Sequence, residues 1–169
     1  MRFFFFLLIG LVLCTTVCVH AAGYGGGSGT AEDPYQIWTA PQMNTIGVNS
    51  GDWGSQFILM ADLDLSIYQG TQYRIVGNLN TPFTGTFDGN GHSISNLTYT
   101  TIASVDNVGL FGFVQNAAIR NLALKNVQIS SVGQYIGGLV GQNFGTLTNC
   151  YVTGSVNGYY YVEIGRAHV

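Results

Sequence analysis

The chain has 169 residues, 47% of them hydrophobic and only 8% charged, with 24 glycines and a formal net charge of −3. Five Lys plus Arg cannot build the basic face that nucleic-acid binding needs. So much glycine and so little charge also leave no window for a long amphipathic helix, which excludes helical repeat folds.

Met1-Arg2 is a short basic start, and Phe3 to Leu13 is apolar apart from Gly10, too short for a comfortable membrane span. Val19-His20-Ala21 places small residues where a signal peptidase reads. Residues 1–22 are therefore expected to be a signal peptide of bacterial type, cut near Ala21 or Ala22, leaving a secreted or cell-surface protein with no membrane span. At the other end, EIGRAHV (Glu163 to Val169) resembles a translated sequencing adapter. Residues 163–169 are expected to be an artefact, with further coils or domains of the natural protein continuing past Val162. Without both ends, Arg74, Arg120 and Lys125 face seven acidic side chains, a net charge of −4. Cys150 is then the lone cysteine and His92 the lone histidine. They support no intrachain disulfide, no zinc site and no Cys-His nucleophile pair, and no cofactor is expected.

GYGGGSG (23–29) reads as a flexible linker. Residues 30–55 read as a lead-in and cap segment. Asp33-Pro34-Tyr35-Gln36-Ile37-Trp38 reads as a short strand. Thr39 caps a short helix with Pro41 in its first turn, and Met43 and Ile46 fall at helical spacing. Trp38 is expected to cap the first coil of the core. Trp38, Trp53 and Tyr159-Tyr160-Tyr161 are also the aromatic residues able to stack on sugars.

Gln56 to Leu65 ends in strict alternation, Leu63 and Leu65 against Asp62 and Asp64. On a strand both carboxylates would face one side, roughly 6.5–7 Å apart. That is within reach of an acid/base pair for glycoside hydrolysis, so Asp62 and Asp64 are the weak catalytic candidates; a solvated outer face is the competing reading. Arg74 could pair with either. In FDGNGHSI (Phe87 to Ile94), Asp88 and Asn90 hint at calcium. Position 92 is His and no Glu follows at the EF-hand distance, so a tight turn is the better reading, and no metal is expected.

The segment 56–162 repeats. ISNLTY, IRNLAL and LTNCYV share apolar-x-Asn-apolar, with Asn96, Asn121 and Asn149 offset by 25 and 28 residues. Gly109-Leu110-Phe111-Gly112 recurs as Gly138-Leu139-Val140-Gly141, 29 residues on. A period in this range marks a solenoid, propeller or array. Short strands separated by Gly and Asn, without two-residue hairpin turns, favour an all-β, right-handed parallel β-helix with one period per coil. Leu122, Leu124, Val127 and Ile129 should then point inward. Asn96, Asn121 and Asn149 should stack as one ladder, and Cys150 should fill the inward slot held by Leu97 and Leu122.

The paired Gly-Leu-apolar-Gly sequences, with NFGTLTNCYVTGSV (Asn143 to Val156), resemble the GLUG motif of bacterial surface and secreted repeat proteins. PFTGTFDGNGHSISNL and GSGTAEDPYQIWTAPQMNTI resemble the coil and lead-in that precede such repeats. The resemblance implies an adhesin-like module that binds a surface glycan or protein, or acts as a spacer. The alternative is a carbohydrate-active β-helix enzyme, a polysaccharide lyase or glycoside hydrolase, using Asp62 and Asp64.

Overall fold

A computed structural model describes residues 23–163. The expected signal peptide and residues 164–169 lie outside them. The described chain is mostly strand with one helix, wound as a parallel β-solenoid of about four turns. Strands β1 (Tyr35–Ile37), β2 (Gln56–Leu59), β3 (Leu63–Asp64), β4 (Thr86–Asp88), β5 (Ser93–Ser95) and β6 (Thr98–Thr100) are short. Then come β7 (Phe111–Ser130), β8 (Gln134–Gly137), β9 (Val140–Asn157) and β10 (Tyr160–Glu163); helix α1 (Ala40–Val48) lies between β1 and β2.

Three columns of strands stack in register. Phe57, Phe87, Ile119 and Leu147 form one apolar row, and Leu63, Ile94, Leu124 and Val152 the next. Tyr99, Ile129 and Val156 form the third. Every pairing is parallel, so each inward side chain sits on its equivalent one coil away, about 4.8 Å distant. Leu122, Leu124, Val127 and Ile129 are buried, while Arg120, Lys125 and Gln128 are exposed, as the alternation requires.

β7 and β9 run for 20 and 18 residues, far longer than the short strands that the Gly and Asn punctuation implies. The bends do not break the ladder. Asn116, Asn121, Asn126 and Asn149 turn the chain at φ between 50° and 54°, and pairing resumes beyond each corner. Asn visits this left-handed region more readily than other L-residues with a Cβ.

The N-terminal end is closed by a cap. Thr39 and Gln42 form a reciprocal capping box on α1, and Met43 and Ile46 are fully buried. Trp53 is buried, its indole N–H donating to the Ile46 carbonyl at 2.6 Å. Trp38 does not cap the core: it is 46% exposed and its Nε1 donates to Gln36. Strand alternation explains the difference, because Ile37 takes the inward position and Trp38 must face out.

Residues 23–29 are not a free linker. The Gly25 N–H donates to the Gln36 carbonyl, the Gln36 N–H to the Gly26 carbonyl, and Tyr24 is buried against Tyr35 and Phe57. Glycine here answers a packing need, since a Cβ on Gly25 would collide with the Trp38 ring.

Candidate functional site

Asp62 and Asp64 do share an outer face, opposite buried Leu63 and Leu65. Asp62 Oδ1 accepts the Ser93 N–H at 2.7 Å and lies 3.4 Å from His92 Nδ1. Asp64 Oδ1 accepts the Asn96 side-chain amide at 2.9 Å and the Ser66 N–H at 2.9 Å. Each carboxyl is held below the usual carboxylate range, Asp62 chiefly by the Ser93 backbone donor and Asp64 chiefly by the Asn96 amide. A glycosidase pair needs one carboxyl raised so that it can donate a proton. Both of these are pushed the other way. Arg74 pairs with neither; among the described residues the contacts between basic and acidic side chains are Arg120–Asp88 and His92–Asp62.

Asp88 begins a tight turn. Asn90 and Gly91 both have positive φ, and the His92 N–H returns to the Gly89 carbonyl at 2.8 Å. Asp88 Oδ1 accepts the Asn90 N–H and the Asn121 amide, while Oδ2 accepts Arg120 Nε at 2.7 Å. Burial raises the Asp88 pKa, but Arg120 and these donors outweigh it and the net direction is down.

The Asn residues form two ladders rather than one. Asn149 donates to Asn121 (3.0 Å) and Asn121 to Asp88. Asn126 donates to Asn96 (2.7 Å) and Asn96 to Asp64. Asn96 therefore does not join Asn121 and Asn149. The strand LKNVQI fits the same apolar-x-Asn-apolar pattern as IRNLAL, and the register pairs Ile94 with Leu124. By the same shift Leu97 sits under Val127, and Cys150 covers Leu122 alone.

The Gly-Leu-apolar-Gly pair is a structural pinch. Phe111 pairs with Val140, so Gly112 and Gly141 are equivalent, and Leu110 and Leu139 are buried. A Cβ on Gly141 would lie 2.7 Å from the Tyr135 carbonyl and 2.8 Å from the Gly112 carbonyl. On Gly112 it would lie 2.6 Å from the carbonyls of Asn107 and Gly77. Backbone passes so close to backbone that no side chain fits.

The family model of the GLUG motif matches residues 132–157, from the loop before β8 to the end of β9. The chain carries a GLUG motif. This GLUG chain is 34% identical over 142 residues to the protein named "Halomucin" of Haloquadratum walsbyi, an alignment covering 78% of the chain and 2% of that protein. It is 33% identical over 135 residues to a "Putative Gly-rich membrane protein" of Evansella cellulosilytica, covering 76% and 15%. The GLUG chain thus spans only a small part of the curated relatives it matches. A crystal structure described as "a putative immunoglobulin A1 protease from Bacteroides ovatus" shares the fold with a TM-score of 0.59 and 26% identity, over 79% of this chain and 41% of that one. No helix among the described residues of the GLUG chain is long and apolar enough to cross a membrane.

The outer faces carry a pattern that lies outside the motifs. Thr98 to Thr100, Gln128 to Ser130 and Ser155 to Asn157 lie side by side in register, and a shallow groove runs over them. Their polar members fall at alternate positions around buried Ile129 and Val156, a period-2 signal visible only once the coils are registered.

Proposed function

We propose that this chain belongs to a secreted or surface-displayed solenoid that presents long, flat, neutral faces for binding and holds other parts of a longer protein away from the cell. The role is adhesin-like rather than catalytic. One observation carries it: two outward rows repeat coil on coil as short uncharged side chains, Thr86, Ala118 and Thr146 in one and Thr100, Ser130 and Asn157 in the other. The names of the relatives, Halomucin and a Gly-rich membrane protein, agree with surface display. Beads coated with the full secreted chain are expected to stay on cells or matrix under shear several-fold better than albumin-coated beads. Equal retention on every surface would overturn the binding role.

The carbohydrate-active alternative rests on Asp62 and Asp64, whose lowered pKa values leave neither as a proton donor. Release of reducing ends from pectin-like polymers, lost in Asp64→Asn, would restore it. Among the described residues a thiol nucleophile has no histidine partner either: the register sets His92 and Cys150 two coils apart, with Cys150 facing inward.

A further inference from the structure

We propose that the third face of the solenoid, together with the tyrosine corner that follows it, binds a neutral polysaccharide. This rests on the binding-module reading above and names its ligand class. The face is the groove over β6, β7 and β9, lined among others by Thr100, Asn126, Gln128, Ser130, Ser155 and Asn157. None of its lining side chains is charged. Hydroxyls and primary amides both donate and accept, which is what a surface of sugar hydroxyls requires. A phosphate or carboxylate would find no cation there, and charged ligands prefer one.

The corner beyond the face supplies the second observation. Val108, Ile136 and Val162 are in register, so Asn107, Tyr135 and Tyr161 occupy equivalent corners in three coils. All three hold left-handed backbone, with φ of 57°, 59° and 51°. Bends in β7 and β9 meet this demand with Asn, the residue that tolerates it best. Two consecutive coils instead place tyrosine there, against the backbone preference. Their rings stack nearly parallel, with centroids 5.1 Å apart and planes within 7°, and Tyr161 is 70% exposed. Strained residues of this kind cluster at binding and active sites, where the surrounding structure holds them against their preference. Tyr135 is half-buried beneath Tyr161, so the stacked pair offers the exposed Tyr161 ring as a flat π surface to the apolar C–H face of a sugar ring.

The two parts follow one another along the chain. Tyr135 comes five residues after Ser130 and Tyr161 four after Asn157, so on both coils the corner is the next stretch of chain beyond the face. One coil step is ~4.8 Å, close to the length of one pyranose residue, so a glycan running along the axis can set successive sugars on successive coils. An uncharged peptide is the weaker fit. The β7 backbone in the middle of the floor is paired on both sides, so a peptide strand could add only at an outer edge such as that of β9, away from the groove itself.

The test is native electrophoresis of the full chain in gels containing soluble β-glucan, mannan or dextran, with hyaluronan and heparin as anionic controls. At least one neutral polymer should retard the chain and the anionic ones should not. Tyr135→Asn installs the residue that Asn107 already uses at this corner. It should unfold at the same or higher urea concentration than the native chain while losing roughly fivefold in affinity. Gln128→Ala should weaken retardation from the floor side. Retardation by no neutral polymer, retardation by heparin or hyaluronan alone, capture only by an uncharged peptide column, or full affinity in a folded Tyr135→Asn chain would each overturn the site. Bead retention that survives Tyr135→Asn would leave the binding module standing and remove only this ligand.

Discussion

The side-chain amide of Asn126 donates to Asn96 Oδ1 at 2.7 Å across one coil, and both residues hold left-handed backbone, φ 53° and 58°. Asn96 in turn donates to Asp64, and the Asn126 backbone N–H donates to the Thr153 hydroxyl at 3.2 Å. The second ladder runs the same way, from Asn149 through Asn121 to Asp88. Each amide donates toward the N-terminal cap. A carboxylate only accepts, so it can end such a ladder but not continue it. Asp64 and Asp88 stand at those ends. The ladder amide of Asn96 is the chief cause of the lowered Asp64 pKa, whereas at Asp88 burial pushes the pKa up and Arg120, ahead of the Asn90 N–H and the Asn121 amide, pulls it down.

Two separable costs follow from replacing a ladder residue. Asn126→Ala loses an amide bond worth about 0.5–1.5 kcal/mol and puts a residue with a Cβ where the left-handed backbone costs about 1–2 kcal/mol. Asn126→Gly loses only the bond. Urea unfolding should therefore place the Ala variant about 1 kcal/mol or more below the Gly variant, with the native chain above both. Equal values for the two variants would refute the backbone part of the account.

The glycine pinch predicts a sharper contrast. Gly141→Ala drives a Cβ to 2.7 Å from one carbonyl and 2.8 Å from another, both backbone, so neither can step aside cheaply. A loss of about 2–4 kcal/mol or failure to fold is expected. Gly51→Ala, in the turn after α1, meets nothing within 4 Å and has no positive φ. It should be neutral or slightly stabilising, by up to about 1 kcal/mol. Secreted yield and urea midpoints of the two variants decide the matter.

How much of this was legible in the sequence depends on what each residue had to report. The Leu63/Leu65 alternation, the inward run from Leu122 to Ile129 and the Thr39 cap with Pro41 are local patterns, and the structure keeps them. The ladder partners are not local. Asn121 and Asn126 sit in equally good contexts five residues apart, and only the registered coils show that Asn96 lies under the second. The 23–29 segment failed for a similar reason: glycine allows both freedom and close approach, and the Trp38 ring that demands the latter is 13 residues away from Gly25. The neutral groove needs three coils aligned before its rows exist at all. Composition read the class of fold, and pairing was needed to read its faces.

Acid should destabilise the fold through the two ladder ends and through Asp62, which accepts the Ser93 N–H. The folded pKa values of Asp62, Asp64 and Asp88 lie below the ordinary value, so the ionised forms favour the folded state. That contribution is complete above about pH 4 and is lost as pH falls through the folded values. The urea midpoint should stay level from about pH 8 to 5 and drop below about pH 4. Asp88→Asn should lower the midpoint at neutral pH and make the acid drop shallower. A drop that begins between pH 7 and 5 would point to a different group.

Cys150 reports on whether the last described coil is packed. Its side chain is 8% exposed, covers Leu122, and places Sγ 3.3 Å from the Thr148 carbonyl. Burial pushes the thiol pKa up, so little thiolate is present at neutral pH. Leu147 and Val152 beside it are only half-buried, while Ile119 and Leu124 beneath them are fully buried. The native thiol should therefore react with iodoacetamide far more slowly than in urea. A rate close to that of the unfolded chain would show that β9 detaches from β7 in solution. Cys150→Val should then be nearly neutral, because it keeps an apolar group of similar size over Leu122, whereas Cys150→Asp should cost several kcal/mol through an unpaired buried charge. If the aspartate variant unfolds at the native urea midpoint, the inward placement of Cys150 is wrong.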